Sequence, residues 1–386
     1  MLSWRNSAAL IIVILLQWLS FSCNKKNIST SFIGPPTPAH LKKRTVKPAK
    51  KIDWSKAKKI ERYFKRKHSY RTFNGAVLFA EKGEIIYKNG FGFADLRHKK
   101  DSISTKTPFQ IASVSKPLTA IGVLLLYEQG LLNLTDSVQR FIPEFPYKKV
   151  TIENLLTQKS GLPEYLYFSD EFWPDSKTTM YNDDVLCMMQ TYEPQKYWPP
   201  NYRYNYVNSN FAVLASVIEK VAKQSYASFM KEFIFEPLDM QNAYVHIKDE
   251  TPLPEIITWG HDNRRRRIAD SHFNGVAGDK GIYASVEDLY KFDQALYNET
   301  LLCYSTLERA FTPKHRRLHK TDNYGLGWRI NQQSADKKII YHSGWWKGFR
   351  SYFIRMPYAE KTVVVLTNCT GGGSLSNRYL RSLLGE

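Results

Sequence analysis

The sequence predicts a mixed α/β fold of the α+β kind: one antiparallel sheet built from both ends of the chain, flanked by helices, with a mostly helical region inserted between its two halves. Strand-like apolar runs separated by turns occur at 76–93 and again at 338–368, and helical patterns fill the middle. At 386 residues, the chain has room for a large core.

The two halves of the sheet are predicted from similar patterns. An apolar run at 76–80, a Lys82-Gly83 turn and further apolar runs at 85–87 and 90–93 predict a β-hairpin or meander. Near the C-terminus, KIIYHSG, FRSYFIRM and KTVVVLTN predict three strands, followed by a helix near 375–384. We therefore expect a domain over 53–386, with a sheet part at about 53–112 and 325–386 and a helical part at about 113–324.

Helical periodicity predicts the elements between these halves. A helix beginning near Leu118 should end at Gly130. FAVLASVIEKVAK and SVEDLYKFDQALY are amphipathic, the second with Ser285 as N-cap. Trp54, Ile60, Tyr63 and Phe64 predict the apolar face of a basic helix before the first strand.

Residues 1–23 have the pattern of an export signal. Arg5 precedes an apolar run at 8–19, and Cys23 follows Ser22. The run resembles a bacterial lipoprotein signal, which implies lipidation of Cys23; an uncleaved anchor helix is the alternative. Both alternatives predict an exported, periplasmic or cell-surface protein held at a membrane.

The positive charge is concentrated after this signal. The formal net charge is +19, and residues 24–67 hold 15 Lys and Arg against Asp53 and Glu61. We expect residues 24–52 to be a basic, Pro-containing tether that could lie on anionic lipid or wall polymer. Nucleic-acid binding is not expected, because no recognition motif accompanies the charge. The cysteines predict neither a disulfide framework nor a metal site.

A serine and a lysine three residues apart, Ser113 and Lys116, begin a predicted helix with apolar neighbours. Their i,i+3 spacing places both side chains on one helix face. A serine hydroxyl becomes a good nucleophile when a neighbouring base accepts its proton, and burial favours the neutral amine that can do so. The pattern alone is weak, because it recurs four times elsewhere in the chain and Ser113 could simply cap the helix.

Two further motifs follow in order. Tyr206-Val207-Asn208 lies just before a predicted helix, and His342-Ser343-Gly344 lies on a predicted strand. Together with Ser113 and Lys116 they resemble the serine β-lactamase and penicillin-recognising hydrolase superfamily, in particular its class C-like branch with D-Ala-D-Ala carboxypeptidases and esterases. The resemblance covers residues from about 73 to the C-terminus and implies a β-lactamase/transpeptidase-like fold.

The resemblance implies a role for each motif residue. Ser113 would be acylated, Lys116 would help to take its proton, and Tyr206 would assist deprotonation and later activate water. The side chain of Asn208 would donate a hydrogen bond to the substrate amide or to Lys116.

The strand motif is implied to bind substrate. His342 would polarise the site or anchor a substrate carboxylate, with Ser343 beside it. Gly344 would let the strand approach the acyl group, and the backbone N–H groups of Ser113 and Trp345 would form the oxyanion hole.

Several residues depart from the family pattern or compete for a role. Val207 and Gln158 stand where serine and histidine are usual, and Gln158 is expected to be structural. Trp345 and Trp346 should narrow the acyl site or provide an aromatic surface beside it. Glu164 is interpreted as loop surface.

These residues predict a serine hydrolase that forms an acyl-enzyme without metal or organic cofactor. The expected substrate is a small peptide or ester, first of all a D-Ala-D-Ala peptidoglycan stem or a related D-amino-acid peptide. A small-ester hydrolase or weak β-lactamase is the alternative. A non-catalytic envelope binding or scaffold protein of the same fold is the alternative of another class. The oligomeric state is left open.

Overall fold

The computed structural model describes residues 54–385, apart from 174, 251–253, 316–321, 333, 335–336 and 371–374. The predicted signal, Cys23 and the tether at 24–52 lie outside the described residues. Within the described part of the chain, every helix is too short or too polar to cross a bilayer.

A seven-stranded antiparallel sheet is the centre of the described fold, with the strand order β2 (Glu84–Phe91), β1 (Gly75–Glu81), β12 (Lys361–Thr367), β11 (Phe349–Met356), β10 (Lys338–Trp346), β9 (Arg329–Gln332) and β8 (Asn323–Tyr324). The first strand of the chain pairs with the last, from Gly75 opposite Thr367 to Glu81 opposite Lys361. Strands from both ends therefore form one sheet, as the sequence predicts.

The strands of the described residues are β1 Gly75–Glu81, β2 Glu84–Phe91, β3 Phe93–Asp95, β4 Lys100–Ser102, β5 Phe109–Gln110, β6 Tyr244–Val245, β7 Ile282–Ala284, β8 Asn323–Tyr324, β9 Arg329–Gln332, β10 Lys338–Trp346, β11 Phe349–Met356 and β12 Lys361–Thr367. The α-helices are α1 Ser55–Ser69, α2 Ser115–Glu128, α3 Ile152–Leu156, α4 Tyr165–Phe172, α5 Asn182–Tyr192, α6 Ser209–Ala222, α7 Tyr226–Met230, α8 Val286–Ala295, α9 Tyr304–Ala310 and α10 Asn377–Ser382.

Helices cover both faces of the sheet, which explains why β12 is buried along its whole length. On one face, Ile60 and Phe64 of α1 and Leu380 of α10 join the apolar cluster of the strands. On the other face, α8 contacts β1 and β12. The prediction for α1 was wrong at Trp54, which precedes the helix and is 60% exposed.

The inserted region is built around α2 and α6, whose first ten or more residues are buried. Gly130, with φ 71°, follows the end of α2, and Ser285 caps α8 through a reciprocal pair of hydrogen bonds with Asp288. The region also contains a small sheet of β5, β7 and β6, which the sequence did not predict. Strands of two or three residues are too short to show a period.

A buried ion pair joins the helical region to the sheet. The Arg355 guanidinium of β11 donates to the Asp293 carboxylate of α8, and Thr362 of β12 donates to the second carboxylate oxygen. Arg355 and Asp293 are each at most 1% exposed. A buried charge that loses its partner is costly, so this contact should matter for stability.

We predict that Asp293→Asn lowers the free energy of unfolding by about 3–5 kcal/mol, because it leaves the Arg355 charge buried without its counter-charge. The matched control is Asp239→Asn. It removes an exposed ion pair with Lys291, which lies on α8 like Asp293. Its denaturant midpoint should stay close to that of the wild type. Equal midpoints for the two variants would contradict the role of the buried pair.

Candidate active site

Ser113 lies in a 3-10 turn, Ala112–Val114, between β5 and α2. The residue before it, Ala112, has φ 49°, a left-handed conformation that is unusual for alanine. The N-cap residue of α2 is Val114, and no side chain caps the helix. Ser113 is therefore not the N-cap of α2, and the alternative that this serine only caps the helix does not apply.

Lys116 is fully buried at the start of α2. Its Nζ lies 3.0 Å from Ser113 Oγ, 2.8 Å from Asn208 Oδ1 and 3.1 Å from the backbone oxygen of Asp279. The amide and peptide oxygens can only accept hydrogen bonds, whereas a serine hydroxyl can also donate. Asn208 therefore accepts a hydrogen bond from Lys116, and the prediction that it donates to this lysine was wrong. The three contacts therefore suit an ammonium group with three protons, and equally a neutral amine that donates two and accepts the proton of Ser113.

Tyr206 lies against the same lysine. Lys116 Nζ is 4.9 Å from the centre of the Tyr206 ring, and Arg329 Cζ is 5.0 Å from it. Two cation–π contacts thus hold the ring in place. Two other tyrosines of this segment have different surroundings: Tyr202 is exposed and stacks on Trp198, while Tyr204 packs edge-on against His315.

Ser113 and Tyr206 open into one cavity of about 560 Å³, which we call the Ser113 cavity. Its lining residues are Ser113, Tyr206, Arg329, Ser343, Gly344, Trp345, Arg350, Tyr352, Leu375 and Asn377.

Gly344 brings the sheet against the serine turn. A Cβ on this residue would lie 2.5 Å from the backbone oxygen of Ile111 and 2.9 Å from the Cβ of Ala112. Ser351 Oγ of the neighbouring strand donates to the same Ile111 oxygen at 2.5 Å. Only glycine fits this contact, which places β10 at the edge of the Ser113 cavity. The oxyanion hole of Ser113 and Trp345 N–H groups stays a prediction.

His342 lies behind Tyr206, at the inner side of the site. It is fully buried, its Nδ1 donates to the backbone oxygen of Ser343 at 2.9 Å, and its Nε2 lies 3.3 Å from the Tyr324 hydroxyl. It is not among the residues that line the Ser113 cavity. In this structure His342 packs behind the ring of Tyr206, with ring centres 6.2 Å apart. Its implied role, to polarise the site or to anchor a substrate carboxylate, stays a prediction.

The interpretation of Glu164 as loop surface was wrong. The side chain is buried, and its Oε2 accepts hydrogen bonds from the N–H and the side-chain Nδ2 of Asn208, at 2.7 and 3.0 Å. Burial raises the pKa of Glu164, and the Asn208 N–H partly offsets this rise. The loop before α4 folds beneath the Tyr206-Asn208 segment, which no local pattern shows.

Gln158 stabilises the same segment. Its Oε1 accepts from the Val207 N–H at 3.0 Å and from Asn210 Nδ2 at 2.5 Å. Because both donors flank Asn208, Gln158 positions the motif rather than taking part in chemistry.

Sequence reasoning missed three buried or half-buried cations. Arg329 and Arg350 line the Ser113 cavity, and Arg350 Nε is buried without a hydrogen-bond partner among the described residues. Lys280 is buried beside Asp279, donates to the Tyr165 hydroxyl and lies 5.0 Å from the centre of the Trp346 ring. Burial lowers the pKa of Lys280. From sequence alone, charged residues at strand ends and in turns are expected to be exposed to solvent, which is why these three cations were not predicted as part of the site.

In the described part of the chain, no group of three or more His, Cys, Asp and Glu side chains is placed to hold a metal ion.

We predict that His342 makes stability depend on pH below neutrality. Burial, with the nearby charges of Arg329 and Lys116, holds the pKa of His342 well below its usual value of about 6.5. Below about pH 6.5 the unfolded chain therefore binds a proton that the folded chain does not, and the free energy of unfolding falls. Denaturant midpoints at pH 7.5 and 5.0 should differ less for His342→Gln than for the wild type. An equal difference would refute this assignment.

Comparison with known proteins agrees with the motifs. A family model described as Beta-lactamase matches residues 57–385. Penicillin-binding protein 4* of Bacillus subtilis (strain 168) is 34% identical over 327 residues, which cover 81% of this chain and 72% of that protein.

Solved structures agree with the fold. The octameric penicillin-binding protein homologue from Pyrococcus abyssi superposes with a TM-score of 0.72 at 25% identity, covering 85% of this chain and 77% of that one. The D-amino acid amidase from Ochrobactrum anthropi SV3, complexed with L-phenylalanine amide, has the same fold, with a TM-score of 0.66 at 20% identity, covering 82% and 93%. The chain therefore belongs to the β-lactamase family, within the β-lactamase/transpeptidase-like superfamily of serine hydrolases.

Proposed function

We propose that the protein is an exported serine hydrolase that cleaves an amide or ester bond through an acyl-enzyme, with D-Ala-D-Ala-type peptides or related D-amino-acid peptides as substrates. The observation that carries the proposal is the 3.0 Å contact between Ser113 Oγ and the buried Lys116 Nζ, at the floor of a cavity that Tyr206 also lines.

The chemistry follows from these atoms. Ser113 Oγ attacks the substrate carbonyl carbon while its proton passes to Lys116 Nζ. The tetrahedral intermediate collapses when the leaving amine or alcohol takes a proton, for which Tyr206 is the relay. The acyl-enzyme is then hydrolysed by water, whose proton returns through Tyr206 or Lys116 as Ser113 is released. The reaction needs only water as co-reactant.

The charge of the Ser113 cavity supports a substrate that ends in a carboxylate. Arg329 and Arg350 both line the cavity, and neither is ion-paired within the described residues. A guanidinium group binds a carboxylate through two parallel hydrogen bonds. Trp345, which is 60% exposed at the rim, offers an apolar surface for the acyl side chain. A small neutral ester would use the same nucleophile and leave the arginines unused.

Export and membrane attachment are part of the proposal and rest on the sequence of residues 1–23, with Cys23 as the site of lipidation. The basic residues at 24–52 would then lie next to the membrane or the wall polymer.

We predict that a fluorescent penicillin and a fluorophosphonate probe label the purified protein, and that Ser113→Ala abolishes labelling by both. The matched control is Ser115→Ala, since Ser115 is buried and its Oγ accepts a hydrogen bond from the Ile282 N–H. This variant should still be labelled. Labelling of Ser113→Ala would place the nucleophile elsewhere, and a folded wild type that neither probe labels would favour the scaffold alternative.

Substrate class is tested at Arg350. Arg350→Gln should lower kcat/KM for a peptide ending in a free D-Ala-D-Ala carboxylate by about 10- to 100-fold, because hydrogen bonds to a charged group are lost. Turnover of p-nitrophenyl acetate, which has no carboxylate, should stay close to that of the wild type. An equal loss with both substrates would show that Arg350 does not recognise the carboxylate.

A further inference from the structure

Asn208 contacts Lys116 in one orientation of its amide only. The amide carries an acceptor, Oδ1, and a donor, Nδ2, which a half-turn about the last side-chain bond exchanges. Only Oδ1 can accept the hydrogen bond from Lys116 Nζ, at 2.8 Å. If Nδ2 faced Lys116 instead, two donors would meet and the lysine would lose one of its three contacts.

The Glu164 carboxylate selects this orientation. Its Oε2 accepts from Asn208 Nδ2 at 3.0 Å and from the Asn208 N–H at 2.7 Å, while Oε1 accepts from the Leu166 N–H at 3.4 Å. The carboxylate has no proton to donate, so it can bind Nδ2 but not Oδ1. Because Nδ2 faces Glu164, Oδ1 faces Lys116.

Glu164 acts from behind the site. It is 7% exposed and does not line the Ser113 cavity, so it is not placed to touch a substrate there. Glu164 is the N-cap residue of α4. Its own N–H donates to the Tyr197 hydroxyl at 3.2 Å, which helps to fix its position.

We propose that Glu164 is a positioning residue for the reaction: its carboxylate orients the Asn208 amide, and the amide holds Lys116 opposite Ser113. This inference rests on the proposed function, because it concerns the base of that acylation step. No part of the local sequence indicates it, since Glu164 and Asn208 are 44 residues apart.

Several charged and titratable groups surround Glu164. Lys116 and Asp279 face it from α2 and from the segment before β7, and Lys280 and Tyr165 lie in the same buried cluster. Tyr197 contacts it from the segment after α5. A variant that removes the charge of Glu164 and keeps an acceptor oxygen therefore separates the geometry of the Asn208 contact from these charges.

Three variants separate geometry from charge. Glu164→Ala removes both acceptor oxygens, and Glu164→Gln keeps one oxygen that can accept from both Asn208 donors. Glu219→Gln is the matched control: Glu219 is a half-buried carboxylate on α6 whose Oε1 accepts from the Tyr226 N–H at 2.8 Å, away from the Ser113 cavity. The full-length protein is used throughout, with its thermal midpoint recorded for each variant.

The rate of acylation by a fluorescent penicillin, measured from pH 5 to 10, is the kinetic readout. We expect Glu164→Ala to lower the rate about 100-fold, as for a displaced catalytic group, and Glu164→Gln to retain it to within about tenfold. Glu219→Gln should match the wild type. Wild-type rates in Glu164→Ala, or a loss in Glu164→Gln as large as in Glu164→Ala, would overturn the proposal.

A crystal structure of Glu164→Ala supplies a readout that does not depend on activity. We expect Asn208 Oδ1 to leave hydrogen-bond distance of Lys116 Nζ; a retained contact would overturn the proposal. If the wild-type protein is not acylated at all, the proposed function fails, and this structure still decides whether Glu164 orients Asn208.

Discussion

The buried amino group of Lys116 is the constraint on which the site depends. A polar group without exposure to water must be satisfied by the protein, and the three oxygens that do so come from the turn before α2, the start of α6 and the segment before β7. These segments are up to 163 residues apart in the chain. The lysine is therefore enclosed only when the helical region has folded. The site is complete only when α2 and α6 are packed together.

The sheet contributes the other wall. Gly344 has no side chain, so the backbone of β10 can contact the backbone of the serine turn. Ser351 of the next strand donates a hydrogen bond to the Ile111 backbone oxygen, next to the same turn. Arg329 and Arg350 reach the Ser113 cavity from β9 and β11, on either side of β10. The sheet thus presents the positive charges, and the helical region presents the nucleophile and its base.

Charge compensation shapes the surroundings of Lys116. Glu164, Asp279 and Lys280 lie near Lys116, and Arg329 Cζ lies 5.0 Å from the centre of the Tyr206 ring. Burial, together with the nearby charges of Arg329 and Lys116, keeps His342 neutral. Its Nδ1 therefore donates to the backbone oxygen of Ser343, and its Nε2 accepts from the Tyr324 hydroxyl. The residues of the strand motif thus take two positions. His342 packs against Tyr206 in the interior, while Ser343, Gly344 and Trp345 line the Ser113 cavity.

Local sequence was sufficient for the long strands, the amphipathic helices, the Ser285 cap and the three motifs, because each depends on the spacing of neighbouring residues. The resemblance to the penicillin-recognising hydrolases implied that Asn208 belongs with Ser113 and Lys116, and the three side chains meet in the structure. The burial of Glu164, the inward position of His342, the exposure of Trp54 and the two cavity arginines were decided by tertiary packing alone. Whether a charged or polar side chain faces water or a partner depends on segments that arrive from elsewhere in the chain, and a one-dimensional pattern carries no record of them.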